Sequence, residues 1–284
     1  MSEEASDDLK VRPSNAGKRV RASGPILILA VLFVAATFLA WYFTWFGRGL
    51  SDADITRYLS DTKSPRHVQH ALLQVQQRIE GHDSSAKYWY PQIEALSTSP
   101  ETEFRLTTAW LMGFDGQSEA FHAALLKLVH DDEPIVRRNA ALALVRFNDS
   151  AGRQELVSVL SPYAVKAPTN GIVSSTLHVG SDVSRGTLLA RVQQTDGKVI
   201  ELRSPLQGRI NEVSKPNGAQ VTTTDQILTI NSDEESVWET LRGLALIGTS
   251  ADLDLIKPYA NSTTAAPRVQ QQAKLTIAAI ENKK

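Results

Sequence analysis

Histidines, carboxylate runs and a few aromatics and arginines are the residues of this 284-residue chain whose spacing suggests chemistry, because the chain contains no cysteine. That absence removes thiolate nucleophiles, disulfides, Cys-x-x-Cys-His haem attachment and zinc ribbons. His67 and His70 stand three apart in a helical phrase, so both imidazoles could share one face and begin a metal site. No third ligand lies near them, and a packed or solvated pair is the simpler reading; His82, His122, His130 and His178 are scattered over other elements. Asp131, Asp132 and Glu133 crowd ahead of Pro134, where acids complement the positive end of a helix dipole, so they read as a helix start. Gly-rich phosphate loops, His-Glu-x-x-His and Gly-x-Ser-x-Gly are missing. The chain is therefore expected to be no enzyme, with no catalytic residue, no metal site and no cofactor.

Recognition chemistry is what remains. Tyr88, Trp89 and Tyr90 lie together just before Pro91 and an amphipathic helix. Aromatics suit the centre of an interface, but in a short helical array they more often fill the cap beneath its first repeats. Arg137 and Arg138 follow Val136 on another helix, where an arginine either braces neighbouring helices or meets a partner. These five residues are the interaction candidates.

The elements that must position them begin with a membrane segment. Residues 1–24 are polar, mix Glu3, Glu4, Asp7 and Asp8 with Lys10, Arg12, Lys18, Arg19 and Arg21, lack hydrophobic periodicity and read as a disordered tail. Ile26 to Phe46 then runs 21 residues without a charge, about 32 Å of helix against a hydrocarbon core of about 30 Å. Trp41, Tyr42, Phe43, Trp45 and Phe46 crowd its far end as an aromatic belt, and the basic residues precede it. The positive-inside rule then puts the N-terminus in the cytoplasm and everything after residue 47 outside it. The long apolar run and the poor Phe38-Leu39-Ala40 cleavage site favour an uncleaved anchor over a signal peptide. A net charge of −1 supplies no electrostatic reason to bind nucleic acid.

Helical phrases recur at Val68, Phe104, Val136, Val237 and Val269, with spacings of 36, 32, 101 and 32 residues. The long spacing reduces to the short one if about 69 residues of another structure interrupt one repeat. The phrase Asp131 to Leu144 places Val136, Ala140, Ala143, Leu144 and Phe147 on one stripe, with Pro134 at a helix start. With Asp131, Pro134, Val136-Arg137, Ala140 and Ala143-Leu144 at these spacings, the phrase resembles the second helix of a HEAT repeat. The resemblance implies a short α-solenoid that recognises rather than reacts.

Between Val165 and Ile230 the pattern changes to short β-branched runs (Ile172-Val173, Leu188 to Val192, Lys198 to Leu202, Gln226 to Ile230) separated by Gly, Pro, Asn and Asp. Ala167-Pro168-Thr169-Asn170-Gly171 is echoed by Ser204-Pro205-Leu206-Gln207-Gly208 at an offset of 37, and Gly180 with Val183 by Gly218 with Val221 at 38. Duplicated structure follows, with the glycines expected to supply positive φ in turns. These paired motifs resemble the biotinyl/lipoyl, or barrel-sandwich hybrid, fold. In modified members a lysine on the hairpin between the halves is the swinging arm; Lys198 is the lysine there, set in Asp196-Gly197-Lys198 instead of Asp-Lys-Ala or Met-Lys-Met. Order of parts also resembles membrane-fusion (periplasmic adaptor) proteins, which follow an anchor with this sandwich, although about a dozen residues join the halves here where adaptors carry a long helical hairpin.

The expected architecture is thus α+β and multi-domain. A tail (1–24) and one transmembrane helix (25–47) precede HEAT-like repeats (52–162 and 233–284), which a lipoyl-like β-sandwich (163–231) interrupts. The expected role is a non-catalytic scaffold or adaptor in a cell-envelope complex of secretion, efflux or membrane-complex assembly. It would be anchored in the inner membrane with its C-terminal domains periplasmic, would have envelope proteins as partners and no nucleic acid, and allows oligomers. The alternative is a carrier with Lys198 biotinylated or lipoylated.

Overall fold

The computed structural model describes residues 24–45 and 49–283. They divide into two units, one ending at Gly49 and one beginning at Leu50. The first contains α1, Gly24–Trp45, a helix of 22 residues with no acidic residue in its first turn and no basic residue in its last. Side chains described from Leu27 to Ala40 are all exposed, Leu29 and Phe33 more than 70%. This run of described side chains amounts to about 21 Å, and among the described residues no helix is long and apolar enough to cross a membrane. The expected polar tail and the side chains of Ile26 and of Trp41 to Phe46 lie outside the described residues.

The second unit is helical on both sides of a β-module. Its helices are α2 (Asp52–Ser60), α3 (Pro65–Glu80), α4 (Tyr90–Leu96), α5 (Thr102–Met112), α6 (Glu119–Leu128), α7 (Pro134–Arg146) and α8 (Arg153–Val159), then α9 (Glu234–Ile247), α10 (Leu253–Asn261) and α11 (Pro267–Glu281). Successive helices pair as α2 with α3, α4 with α5, α6 with α7, α8 with α9 and α10 with α11, and the second helices stack in the order α3, α5, α7, α9, α11. Pro65, Pro134 and Pro267 open three of those second helices, at a position whose N–H has no helical partner. Two or three residues later the recurring phrase buries one apolar side chain in each: Val68, Phe104, Val136, Val237 and Val269, none more than 4% exposed. One continuous core therefore runs from Ile55 to Ile280 across the interruption.

The β-module replaces the loop inside the fourth helix pair. Arg153 of α8 pairs with Asp252 at 2.5 Å, and the Tyr259 hydroxyl donates to the Leu160 carbonyl at 3.1 Å, so residues 99 positions apart are neighbours across it. The α6 helix stops at Leu128, with Val129 as its C-cap, short of His130. A 3-10 turn, Ser250–Asp252, precedes α10 because Asp252 accepts from the Thr249 N–H at 2.8 Å and closes a capping box.

Eight strands make the module: β1 (Tyr163–Lys166), β2 (Gly171–Ser174), β3 (Asp182–Val183), β4 (Leu188–Gln193), β5 (Val199–Arg203), β6 (Gly208–Val213), β7 (Gln220–Val221) and β8 (Gln226–Ser232). Two antiparallel sheets, ordered β1-β8-β6-β3 and β5-β4-β2-β7, enclose a second core of Val165, Val173, Val183, Leu189, Val192, Ile210, Val221, Ile227 and Ile230. The duplication appears in hydrogen bonds. Gly180 N–H donates to Ile210 O and Gly218 N–H to Val173 O, both at 2.8 Å, while Ile210 N–H reaches Ser181 O and Val173 N–H reaches Ala219 O, both at 2.9 Å. Each half thus completes the other.

The glycines divide into two roles, and this corrects the sequence reading. Gly180 and Gly218 have φ of 87° and 85°, as turns require. Gly171 and Gly208, the last residues of the Pro-x-x-Gly motifs, do not have positive φ. They are fixed by space: a Cβ on Gly171 would lie 2.3 Å from Gln193 O, and one on Gly208 would lie 2.1 Å from Asn231 O.

Candidate functional site

Of the aromatic trio, only Tyr88 faces solvent, at 71% exposure. Trp89 is buried, donates Nε1–H to Thr56 Oγ1 at 2.9 Å and lies beneath the Arg78 guanidinium at 4.7 Å. Tyr90 donates its hydroxyl to Asp115 Oδ2 at 2.8 Å and packs on Phe121; burial and the Asp115 carboxylate push its phenol well above the usual range. Trp89 and Tyr90 thus tie the 3-10 turn Ser84–Trp89 and α4 to α2 and to the loop before α6. Tyr88, edge-on to Trp89 at 5.6 Å, lines a shallow depression with Asp52, Thr56, Arg57 and Ser60.

The two arginines also turn inward. Arg137 donates Nε–H to Glu155 Oε2 at 2.9 Å and Nη1–H to the carbonyls of Asp131 and Asp132 at 2.9 and 3.1 Å, bracing α7 against α8. Arg105 occupies the equivalent position one repeat earlier and holds Asp131 through two bonds of 2.7 and 3.0 Å. Burial would raise the Asp131 carboxyl, yet the Arg105 side chain and the Glu133 N–H hold it below the usual carboxylate range. Asp131 is thus both a turn cap, accepting from Glu133 N–H at 2.9 Å, and a rung between repeats. Sequence reasoning saw the acid cluster but missed its partner Arg105; the spacing of 32 from Arg105 to Arg137 carries that signal. Arg138 is only 6% exposed, and its Nε has no hydrogen-bond partner. Burial lowers its guanidinium below the ordinary arginine range, against the opposing fields of Glu155, Asp233 and Tyr163.

The histidines do not gather. His67 Nδ1 lies 2.9 Å from Asp61 Oδ2 and its ring stacks on Tyr58 at 4.2 Å, whereas His70 Nε2 is buried without a partner. His122 Nε2 lies 2.7 Å from Asp149 Oδ2 in the turn after α7. Among the described residues no three His, Cys, Asp or Glu side chains stand close enough to hold a metal.

Lys198 sits on the hairpin between β4 and β5, at the junction of the two halves. Gly197 takes φ of 86°, Gln194 N–H donates to Lys198 O at 2.8 Å, and Lys198 N–H donates to Asp196 Oδ1 at 3.0 Å. That last bond belongs to the turn, which is why β5 begins at Val199 and not at Lys198. The Lys198 side chain is exposed. Beside the tip, Ile172 and Val199 flank Gln193 in register on the outer face of the sheet and are both nearly half exposed.

Two clefts lie between module and helices. One of about 750 Å³ is walled by Asp182, Arg209 and Ser232 of the module and by Pro258, Tyr259 and Val269 of the last helices. The other, about 810 Å³, opens between edge strands β1 and β5 beside Glu133, with Lys166, Arg185 and Arg203 on its walls.

Comparison with known families agrees with these parts. Residues 91–167 match the family described as HEAT repeats, and residues 157–230 match the biotin/lipoyl family described as biotin-requiring enzyme. The chain thus carries HEAT repeats and a biotin/lipoyl-like domain, a composition that suggests an interaction scaffold. No curated protein matches the chain.

Proposed function

We propose that this chain is a non-catalytic scaffold, anchored by α1 in the inner membrane with its second unit in the periplasm, where helical repeats and an unmodified lipoyl-like module hold partners of an envelope complex. One observation carries the reading: the module is built into a single repeat without breaking the solenoid core, so the helices act as a rigid mount that displays it. The anchor is supported by the charge-free run from Ile26 to Phe46 and by the exposed apolar side chains from Leu27 to Leu39. The periplasmic side is supported by the five Lys and Arg that precede that run. Partners of secretion, efflux or membrane-complex assembly follow from the resemblance to membrane-fusion adaptors.

A second reading, a carrier with an acylated Lys198, is favoured by the exposed place of that lysine at the junction of the halves. Gly197 ahead of it, where modified members place the lysine next to the acidic residue, opposes that reading, as does the proposed compartment, distant from the ligases and their ATP. A mild-detergent pull-down of the full chain with intact-mass measurement separates the two. Stoichiometric envelope proteins on an unmodified chain support the scaffold; a biotinyl or lipoyl increment on Lys198 would replace it with the carrier.

A further inference from the structure

The β-module is tied to the helices more loosely than either is held within itself. The two cores share no residue. Both chain connections leave from β1 and β8, which are paired at Tyr163 and Ile230, so they form one narrow root. Among the described residues a single ion pair crosses from module to helices: Arg185, in the turn between β3 and β4, with Glu103 in the first turn of α5. Its side chains are 36% and 45% exposed, so water competes with it on both sides.

At the root the balance runs the other way. Arg138 is buried near Tyr163, where β1 begins, and Asp233, the cap of α9 just after β8, and among the described residues it forms no ion pair. Glu155 is engaged by Arg137, and Asp233 accepts from Ser236 as the cap of α9, so neither is free to neutralise it at contact. Keeping a guanidinium from water without a counter-charge is unfavourable, and separating the module from α7 would relieve it. The two clefts on either side leave room for such a movement.

We infer that the module is a hinged arm, latched to the solenoid by Arg185 and Glu103 and biased toward opening by Arg138 at its root. An exposed ion pair of this kind shifts an open-to-closed equilibrium about two- to fivefold and weakens with salt. The chain has no native cysteine, so Ala95→Cys on α4 and Thr195→Cys on the hairpin take spin labels at those two sites alone in the full-length protein. Pulsed distance measurements should show the longer distance enriched about two- to fivefold by Arg185→Glu, restored by adding Glu103→Arg, and reduced by Arg138→Met. A distribution that Arg185→Glu leaves unchanged, or that the reciprocal swap does not restore, overturns the latch. If Arg185→Glu does not fold, the wild-type chain in about 1 M salt, where screening extends about 3 Å, reads the same contact. A salt-invariant distribution there contradicts the proposal.

Discussion

Single atoms decide whether the strands within each half of the module can pair. At Gly171 and Gly208 an added Cβ meets backbone oxygen of the opposing strand at 2.3 and 2.1 Å, contacts no rotamer change relieves. Gly171→Ala and Gly208→Ala should each destabilise the module by about 1–3 kcal/mol or more in urea unfolding. Gly180→Ala, strained in φ but facing open space, should lose about 1–2 kcal/mol. The Arg105 and Asp131 pair is a second sensitive point, because their side chains are 16% and 9% exposed and Arg105→Gln leaves a carboxylate there without its partner. That variant should lose about 3 kcal/mol at neutral pH. The Asp131 carboxyl titrates below its ordinary value of 3.8 when folded, so its contribution is complete above that pH and fades as pH falls through the folded value. Wild type should therefore lose more stability than Arg105→Gln on going from neutral pH to pH of about 3, and equal losses in thermal melts would contradict this electrostatic account.

Helices and strands were legible to different depths. Periodicity alone located the five second helices, because each must bury the same side chain two or three residues after its start. The insertion followed from one anomalous spacing. The strands seen in the sequence were the β-branched ones; β1, β6, where Ile210 stands among Arg209, Asn211 and Glu212, and the two-residue β3 and β7 were not, since each depends on pairing with the other half. Direction of side chains was equally hidden. Tyr88, Trp89 and Tyr90 read as one patch, yet the 3-10 turn before α4 sends them three ways, and Arg137 and Arg138, neighbours in sequence, end as a brace and a buried cation. Because β1 and β8 are paired, the ends of the module lie about 5 Å apart. Replacing 163–232 by a short Gly-Ser link should then leave a helical, cooperatively melting solenoid. Loss of helical circular dichroism in that deletion would show instead that the module is part of the array's folding unit.

The full chain joins an apolar helix to HEAT repeats and a biotin/lipoyl-like module, and the consequences differ for each part. If α1 is an anchor, the protein should stay with membranes after alkaline extraction, and externally added protease should reach the second unit only once the outer envelope is opened. Release into the soluble fraction would remove the membrane part of the proposal while leaving the scaffold intact. The scaffold reading requires that the exposed Lys198 carry no biotinyl or lipoyl group. The most direct measurement is the intact mass of the chain purified from its own cells in mild detergent, taken together with the identities and stoichiometry of what accompanies it. The unmodified mass with a fixed set of envelope proteins is the predicted result. A chain carrying biotin or lipoate on Lys198, accompanied by metabolic enzymes, would contradict it.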